Sequence, residues 1–258
     1  MSAPVLAPLA ARYATWLGLP AEQTSVPEAD PGQVRAMPVV LRMERGEPPA
    51  RTALLEAAAT AALAVCLDER AQEGGDWHDA VSAWVAGHIR KVARRARGAH
   101  WRAVQDLPGV TIDVAGAEAR ALLPGRVAEL PKEVARLQIS GSDLPADEPG
   151  PAQEGLPLLL LNPDVTMTVG KAAAQVGHGT MLLAALLDTE ELAAWQRLGY
   201  RCAVRTATPR QWAALYPADP AQAWRERRVV AVRDAGFTEI APGTVTVLAQ
   251  WPCAGPGR

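Results

Sequence analysis

The chain has 258 residues, 49% of them hydrophobic and 21% charged. That is about two domains' worth at roughly 100–200 residues each, with enough apolar side chain to bury a core, so wholesale disorder is excluded. Lys plus Arg number 26 against 28 Asp plus Glu, a net charge of −2, so any contact with nucleic acid must rest on a local patch rather than on the whole chain. No apolar run approaches the roughly 20 residues that span a bilayer. The longest, Ala53–Leu67, still carries Glu56, and no basic stretch precedes an apolar one at the N-terminus, so neither a membrane anchor nor a secretory signal is expected. Cys66, Cys202 and Cys253 are odd in number and far apart, which points to reduced thiols in a cytoplasm and leaves no disulfide scaffold and no Cys-based zinc site.

Residues 1–36 hold several prolines and short apolar clusters without a sustained period. They are expected to form a mostly mobile extension, with a turn or two of helix at Ala10–Leu17. In a first domain, 37–141, Val39–Arg42 reads as a strand, Ala53–Leu67 as a helix, Ile89–Arg94 as an alternating strand and Ala99–Asp106 as a helix. Val110–Val114 follows as a strand and, beyond Pro124-Gly125, Val134–Ile139 as the last one. The acidic, Pro- and Gly-rich stretch Gly141–Gly155 supplies a linker, 142–155.

The second domain, 156–258, opens on the apolar strand Pro157–Leu161 and a long helix from Val169 to Leu187, with Thr168 as its N-cap. A helix at Glu190–Leu198, a strand at Tyr200–Arg205 and a helix from Pro209 to Tyr216 follow, then strands Arg228–Arg233 and Thr244–Gln250. Strands alternating with helices make this an α/β fold with about four strands. The first domain repeats the order. A shift of 119 sets Pro38–Leu67 against Pro157–Leu186, and a shift of 118 sets Leu123-Pro124-Gly125 against Ala241-Pro242-Gly243. An internal duplication is therefore expected, against the alternative of two unrelated α/β halves.

Two clusters carry chemistry. On the long helix Lys171, Gln175 and His178 fall at i, i+4 and i+7, on one face, giving way to leucine further on. The free amides of the first turn favour an anion such as phosphate. Gly177 and Gly179 each cost about 1 kcal/mol relative to alanine in a helix interior, so something is expected to approach closely there. The second cluster is Asp234 at a strand's end, Thr238 four residues on, and the turn Pro242-Gly243-Thr244. Taken alone, the first reads equally as a solvated helix start and the second as a plain Asx turn.

Together, Gly170-Lys171-Ala172-Ala173-Ala174-Gln175-Val176-Gly177-His178 and Asp234-Ala235-Gly236-Phe237-Thr238-Glu239-Ile240-Ala241-Pro242-Gly243-Thr244 resemble the signature segments of the type-2 peptidyl-tRNA hydrolase family. The resemblance covers about 157–252. It implies a four-stranded mixed sheet flanked by helices, and hydrolysis of the ester joining a peptide to the 3′ end of tRNA. The matching catalytic positions are Lys171, Gln175, His178, Asp234 and Thr238, with Thr168, Gly170, Pro242, Gly243 and Thr244 about the substrate. Thr166, Thr168 and Val169 stand where basic residues are usual, Thr244 stands for a serine, and Tyr216–Arg228 is longer than in a minimal family domain. Asp234 is expected to position or deprotonate water, Lys171 to stabilise the oxyanion, Gln175 and Thr238 to orient water and substrate, and His178 to hold the site together.

No Ser-His-Asp or Cys-His arrangement and no metal spacing is evident, so neither metal nor other cofactor is expected. At the duplication offsets, Thr52, Glu56, Ala59, Gly116 and Arg120 face the five catalytic positions, which makes the first half an inactive partner in a fused, monomeric pseudo-dimer. An acid-free run from Ala80 to Gln105 holds Arg90, Lys91, Arg94, Arg95, Arg97 and Arg102 and reads as a tRNA-phosphate patch, with Trp101 stacking on a base. Only Lys91, Lys132 and Lys171 are lysines, against 23 arginines, so a lysine here is unusual. The competing readings are a tRNA- or ribosome-binding relative without turnover, and an esterase or deacylase of another aminoacyl adduct.

Overall fold

A computed structural model describes residues 4–26, 28, 30–139 and 143–252. Residues 253–258, with Cys253, lie outside the described residues. The chain opens with helices α1 (Ala7–Gly18) and α2 (Ala21–Thr24). Then come β1 (Arg35–Arg42), α3 (Arg51–Leu67), α4 (His78–Ala86), β2 (Arg90–Ala96), α5 (Gly98–Gln105), β3 (Gly109–Val114), β4 (Ala117–Leu122), β5 (Gly125–Arg126) and α6 (Lys132–Ala135). After the connecting segment come β6 (Leu158–Leu161), α7 (Val169–Leu186), α8 (Thr189–Arg197), β7 (Ala203–Thr206), α9 (Pro209–Leu215), α10 (Pro220–Arg227), β8 (Val229–Arg233) and β9 (Val245–Gln250).

The fold is α/β, with two mixed sheets flanked by helices. The first has the strand order β2-β1-β4-β3, with β5 added beside β1, and the second β7-β6-β9-β8. In each, the opening strand (β1 or β6) runs parallel to the next one in sequence (β2 or β7) and antiparallel to β4 or β9, which forms a hairpin with β3 or β8. The two sheets thus share one strand order and one pattern of directions. Their main helices, α3 and α7, pack against each other. Thr180 Oγ1 on α7 donates to the Ala59 carbonyl on α3 at 2.9 Å, and residues of both helices and both sheets form one continuous apolar cluster.

Several sequence expectations are corrected. After Val110–Val114 the chain forms β4 and the two-residue β5 rather than a strand at Val134–Ile139, where Val134 and Ala135 end α6 and Gln138 makes a single bridge to Arg95. β4 reads Ala-Glu-Ala-Arg-Ala-Leu, a composition without the β-branched and aromatic residues that mark strands, and its partner β3 is reached through a tight turn with positive φ at Ala115 and Gly116. This also overturns the shift of 118. The turn joining β3 to β4 is Ala115-Gly116, whereas residues 234–244 join β8 to β9, so Pro124-Gly125, which follows β4, has no counterpart in Pro242-Gly243. Asp234 then corresponds in place to Ala115 rather than Gly116, and Thr238 has no equivalent. The shift of 119 does align β1 with β6 and α3 with α7.

Nor is the described part of residues 1–36 a loose extension. Leu6, Leu9 and Tyr13 are buried, Tyr13 Oη accepts the Ala231 N–H of edge strand β8 at 2.7 Å, and Trp16 Nε1 donates to the Arg233 carbonyl. Arg233 returns hydrogen bonds to the carbonyls of Trp16, Leu17 and Leu19 at the end of α1. An edge strand's free backbone groups are a liability unless covered. Here α1 covers them. The connecting segment is pinned as well: Asp147 accepts from Thr52 N and Oγ1 at the start of α3, and Arg205 donates to the carbonyls of Gly150 and Pro151.

Candidate active site

Helix α7 follows β6 after the connecting residues 162–168, with Thr168 as N-cap accepting from Lys171 N at 3.2 Å. The Glu239 carboxylate accepts from both Thr168 N and Thr168 Oγ1, so a carboxylate of the chain's own stands at that helix end, where the sequence suggested a phosphate. One turn on, the Lys171 ammonium lies 2.5 Å from Asp234 Oδ2 and donates to Thr238 Oγ1 at 2.9 Å. Gln175 Nε2 donates to the same carboxylate oxygen at 2.7 Å, and Gln175 Oε1 accepts from the hydroxyl of the fully buried Thr246. Gly236 N donates to Asp234 Oδ1 at 2.8 Å. Four of the five expected catalytic residues are therefore joined in one hydrogen-bonded cluster. The Lys171 and Asp234 side chains in it are only 13% and 5% exposed.

The cluster forms part of the wall of a cleft of about 640 Å³. α7 and loop 234–239 form one side of that cleft, and α1 and the α4–β2 segment close the others, bringing in Arg12, Trp16, His88 and Lys91. Arg12 is fixed by donating to the carbonyls of Val85, Ala86 and Gly87 at the end of α4. Phe237 packs edge-on to His88 and lies under the Arg90 guanidinium, 3.8 Å from its ring centre. Burial would raise the Glu28 carboxyl, but hydrogen bonds from Arg90 and His88 outweigh it and hold Glu28 at about 2.

His178, the fifth expected residue, stands apart from the cluster. Its Nδ1 lies 3.0 Å from Lys91 Nζ, on β2 of the first half. Burial, and then the charges of Lys91 and Lys171, push the imidazole well below its ordinary pKa, so it stays neutral. Among the residues expected about the substrate, Thr168 and Gly170 line the cleft, but Pro242, Gly243 and Thr244 do not. Those three close the base of the loop: Gly243 N donates to the Asp234 carbonyl, Asp234 N to the Thr244 carbonyl, and Gly243 abuts Ala21 of α2.

Gly236 has φ +80°, and a Cβ there would fall 2.4 Å from Pro242 Cγ. Gly236→Ala is expected to cost about 2–3 kcal/mol, a fall in melting temperature of about 5–10 °C by calorimetry, because it adds left-handed strain to a backbone clash.

The expected phosphate patch does not form as one surface. Alternation along β2 sends neighbouring side chains to opposite faces, and most are held internally. Arg90 pairs with Glu28, Arg94 donates to the carbonyls of Ala135 and Leu137, and Arg95 donates to Gln138. Lys91 reaches the cleft. Arg97 and Arg102 are the two exposed members, and Trp101 is buried against Val104 and Val134 rather than free to stack on a base. Lys91, Thr246, Glu239 and the α1 side chains are site residues that sequence reasoning did not place here. For Lys91 the signal was present in its rarity among arginines.

Comparison with protein families was decisive for the second half: residues 157–255 match the family model of Peptidyl-tRNA hydrolase PTH2. The second half is PTH2-like. The resemblance read from the two motifs is thus borne out for that half, and the PTH2 match contains α7, loop 234–244 and all five residues carried over from it. The PTH2 match leaves out α1 and β2, which supply the other walls of the cleft. Among the described residues, no group of three or more His, Cys, Asp or Glu is placed to hold a metal ion, and no helix is long and apolar enough to cross a membrane.

Proposed function

We propose that the PTH2-like half hydrolyses the ester between a peptide, or an N-blocked amino acid, and the 3′ end of tRNA. The observation that carries this reading is the Lys171–Asp234 pair on the cleft wall. A buried ion pair contributes little net stability, because desolvating both charges offsets most of their attraction. Its value is catalytic, where a fixed charge in a poorly solvated cleft meets charge developing in the transition state. Lys171 uses two of its three N–H donors on Asp234 and Thr238, leaving the third for the carbonyl oxygen as it becomes an oxyanion. A carboxylate offers about four acceptor positions. Lys171 and Gln175 take both on Oδ2 and Gly236 takes one on Oδ1, so the last can hold the attacking water and receive its proton. The family match supports the substrate class, and the arrangement of Lys171, Gln175 and Asp234 is suited to ester hydrolysis.

We also read the first half as a copy of the same fold without the chemistry. The shared strand order, the alignment of α3 with α7, and the two-residue turn in place of loop 234–244 support this. Thr52 and Glu56 occupy the places of Lys171 and Gln175. Thr52 binds Asp147, and Glu56 binds Arg205 and the Val204 N–H.

The test is release of free tRNA from N-acetylated aminoacyl-tRNA, with Asp234→Ala alongside. Turnover by the wild type and a loss of at least about a hundredfold in the variant are expected. Binding without turnover in either protein would make this a tRNA-binding relative, and equal turnover in both would move the chemistry elsewhere.

A further inference from the structure

At one place the first half reaches across the interface into the cleft. The Lys91 side chain passes from β2 over α7, with Nζ 3.0 Å from His178 Nδ1 and 5.1 Å from the centre of the Trp84 ring. The path depends on Gly177: a Cβ at that position would lie 3.2 Å from Lys91 Cδ and Cε and 3.0 Å from Ala62 Cβ. The close approach that the sequence demanded at Gly177 is thus the stem of Lys91 together with α3. The other basic residues within β2, Arg90, Arg94 and Arg95, turn to partners of their own.

We propose that Lys91 is a positioning residue of the active site in the other half: it donates to His178 Nδ1 and so fixes the tautomer that carries its proton on Nε2. An ammonium has only donors, so the bond can run in one direction while Lys91 is charged, and a neutral imidazole that accepts at Nδ1 must hold its hydrogen at Nε2. Nε2 has no hydrogen-bond partner among the described residues, and His178 lines the cleft on the helix face it shares with Lys171. The pair therefore presents a second N–H donor to the cleft that the Lys171 ammonium also lines, suited to an oxygen of the ester, ribose or phosphate.

The titratable groups facing Lys91 are Cys66 on α3 and His178 on α7, with Lys171 acting on His178 from the same helix, while α4 presents the Trp84 ring. Burial pushes the Cys66 thiol up to about 12, so it stays protonated. Lys91 keeps part of its surface open to the cleft, but the packing around its ammonium lowers it to about 7. Below that pH the direction of the bond is enforced. Above it the neutral amine can also accept, and the tautomer preference relaxes.

The role rests on the proposed hydrolysis only for its kinetic arm, since the tautomer is read without substrate. Long-range proton–nitrogen NMR at pH 6 on the full chain should show His178 with hydrogen on Nε2 in the wild type and a mixture of tautomers in Lys91→Met. Lys91→Gln, which keeps an N–H donor, should restore the wild-type pattern and guards against a packing artefact of the methionine. With N-acetylated aminoacyl-tRNA, Lys91→Met should lower kcat at least about tenfold with little change in KM. An unchanged tautomer in Lys91→Met, or an Nδ1–H form in the wild type at pH 6, overturns the role of Lys91. Absence of wild-type turnover overturns the hydrolase reading and leaves the NMR result to decide Lys91.

Discussion

Lys171→Met is expected to lower kcat/KM by about a thousandfold, the upper end of what removal of one group stabilising an oxyanion costs. The same change should destabilise the fold by about 3–5 kcal/mol, because it leaves the Asp234 carboxylate 5% exposed with no countercharge. Gln175 and Gly236 still donate to Asp234, but neither carries charge. The two effects separate in a second variant. Lys171→Met combined with Asp234→Asn removes both charges at nearly constant volume, so most of the lost stability should return while activity stays at the level of the single variant. Chemical denaturation and single-turnover release of tRNA, run on the same four proteins of the cycle, measure the coupling directly. Recovery of activity along with stability would make the pair structural and would remove Lys171 from the chemistry.

The cluster was legible because its parts obey local rules. Lys171 and Gln175 are one helical turn apart, so periodicity alone puts them on one face, and Asp234 ends a valine-rich strand. What could not be read is how far the cleft extends beyond the matched family domain. The tryptophan and tyrosine of α1 looked like scattered apolar residues in a Pro-rich leader, since their partners, Ala231 and Arg233, are more than 200 positions away. Lys91 was conspicuous by its type, yet the acid-free run around it read as a tRNA-phosphate patch. Only the parallel pairing of β2 with β1 places that strand against α7. β4 was missed for a simpler reason: alanine in a strand carries no local signal, and the pairing that stabilises Ala117, Ala119 and Ala121 is supplied by β1 and β3.

If the two halves share one core, a charge placed between them should unfold both. Ala59 is fully buried on α3, and its carbonyl receives the Thr180 hydroxyl from α7. Ala59→Asp puts an unpaired carboxylate into a fully buried helix–helix contact, a cost of about 3–5 kcal/mol and a fall of about 10 °C in melting temperature for a chain of this size. The informative quantity is the number of transitions. Helices α3 and α7 belong to one apolar cluster that also takes in both sheets and α1, so calorimetry should show a single endotherm shifted as a whole, with activity lost over the same range. Two endotherms, with only the lower one moved, would mean that the PTH2-like half keeps its fold without its neighbour. In that case Lys91 would be the weakest part of the site, because its contact with His178 would break first on heating, before the Lys171–Asp234 pair is disturbed.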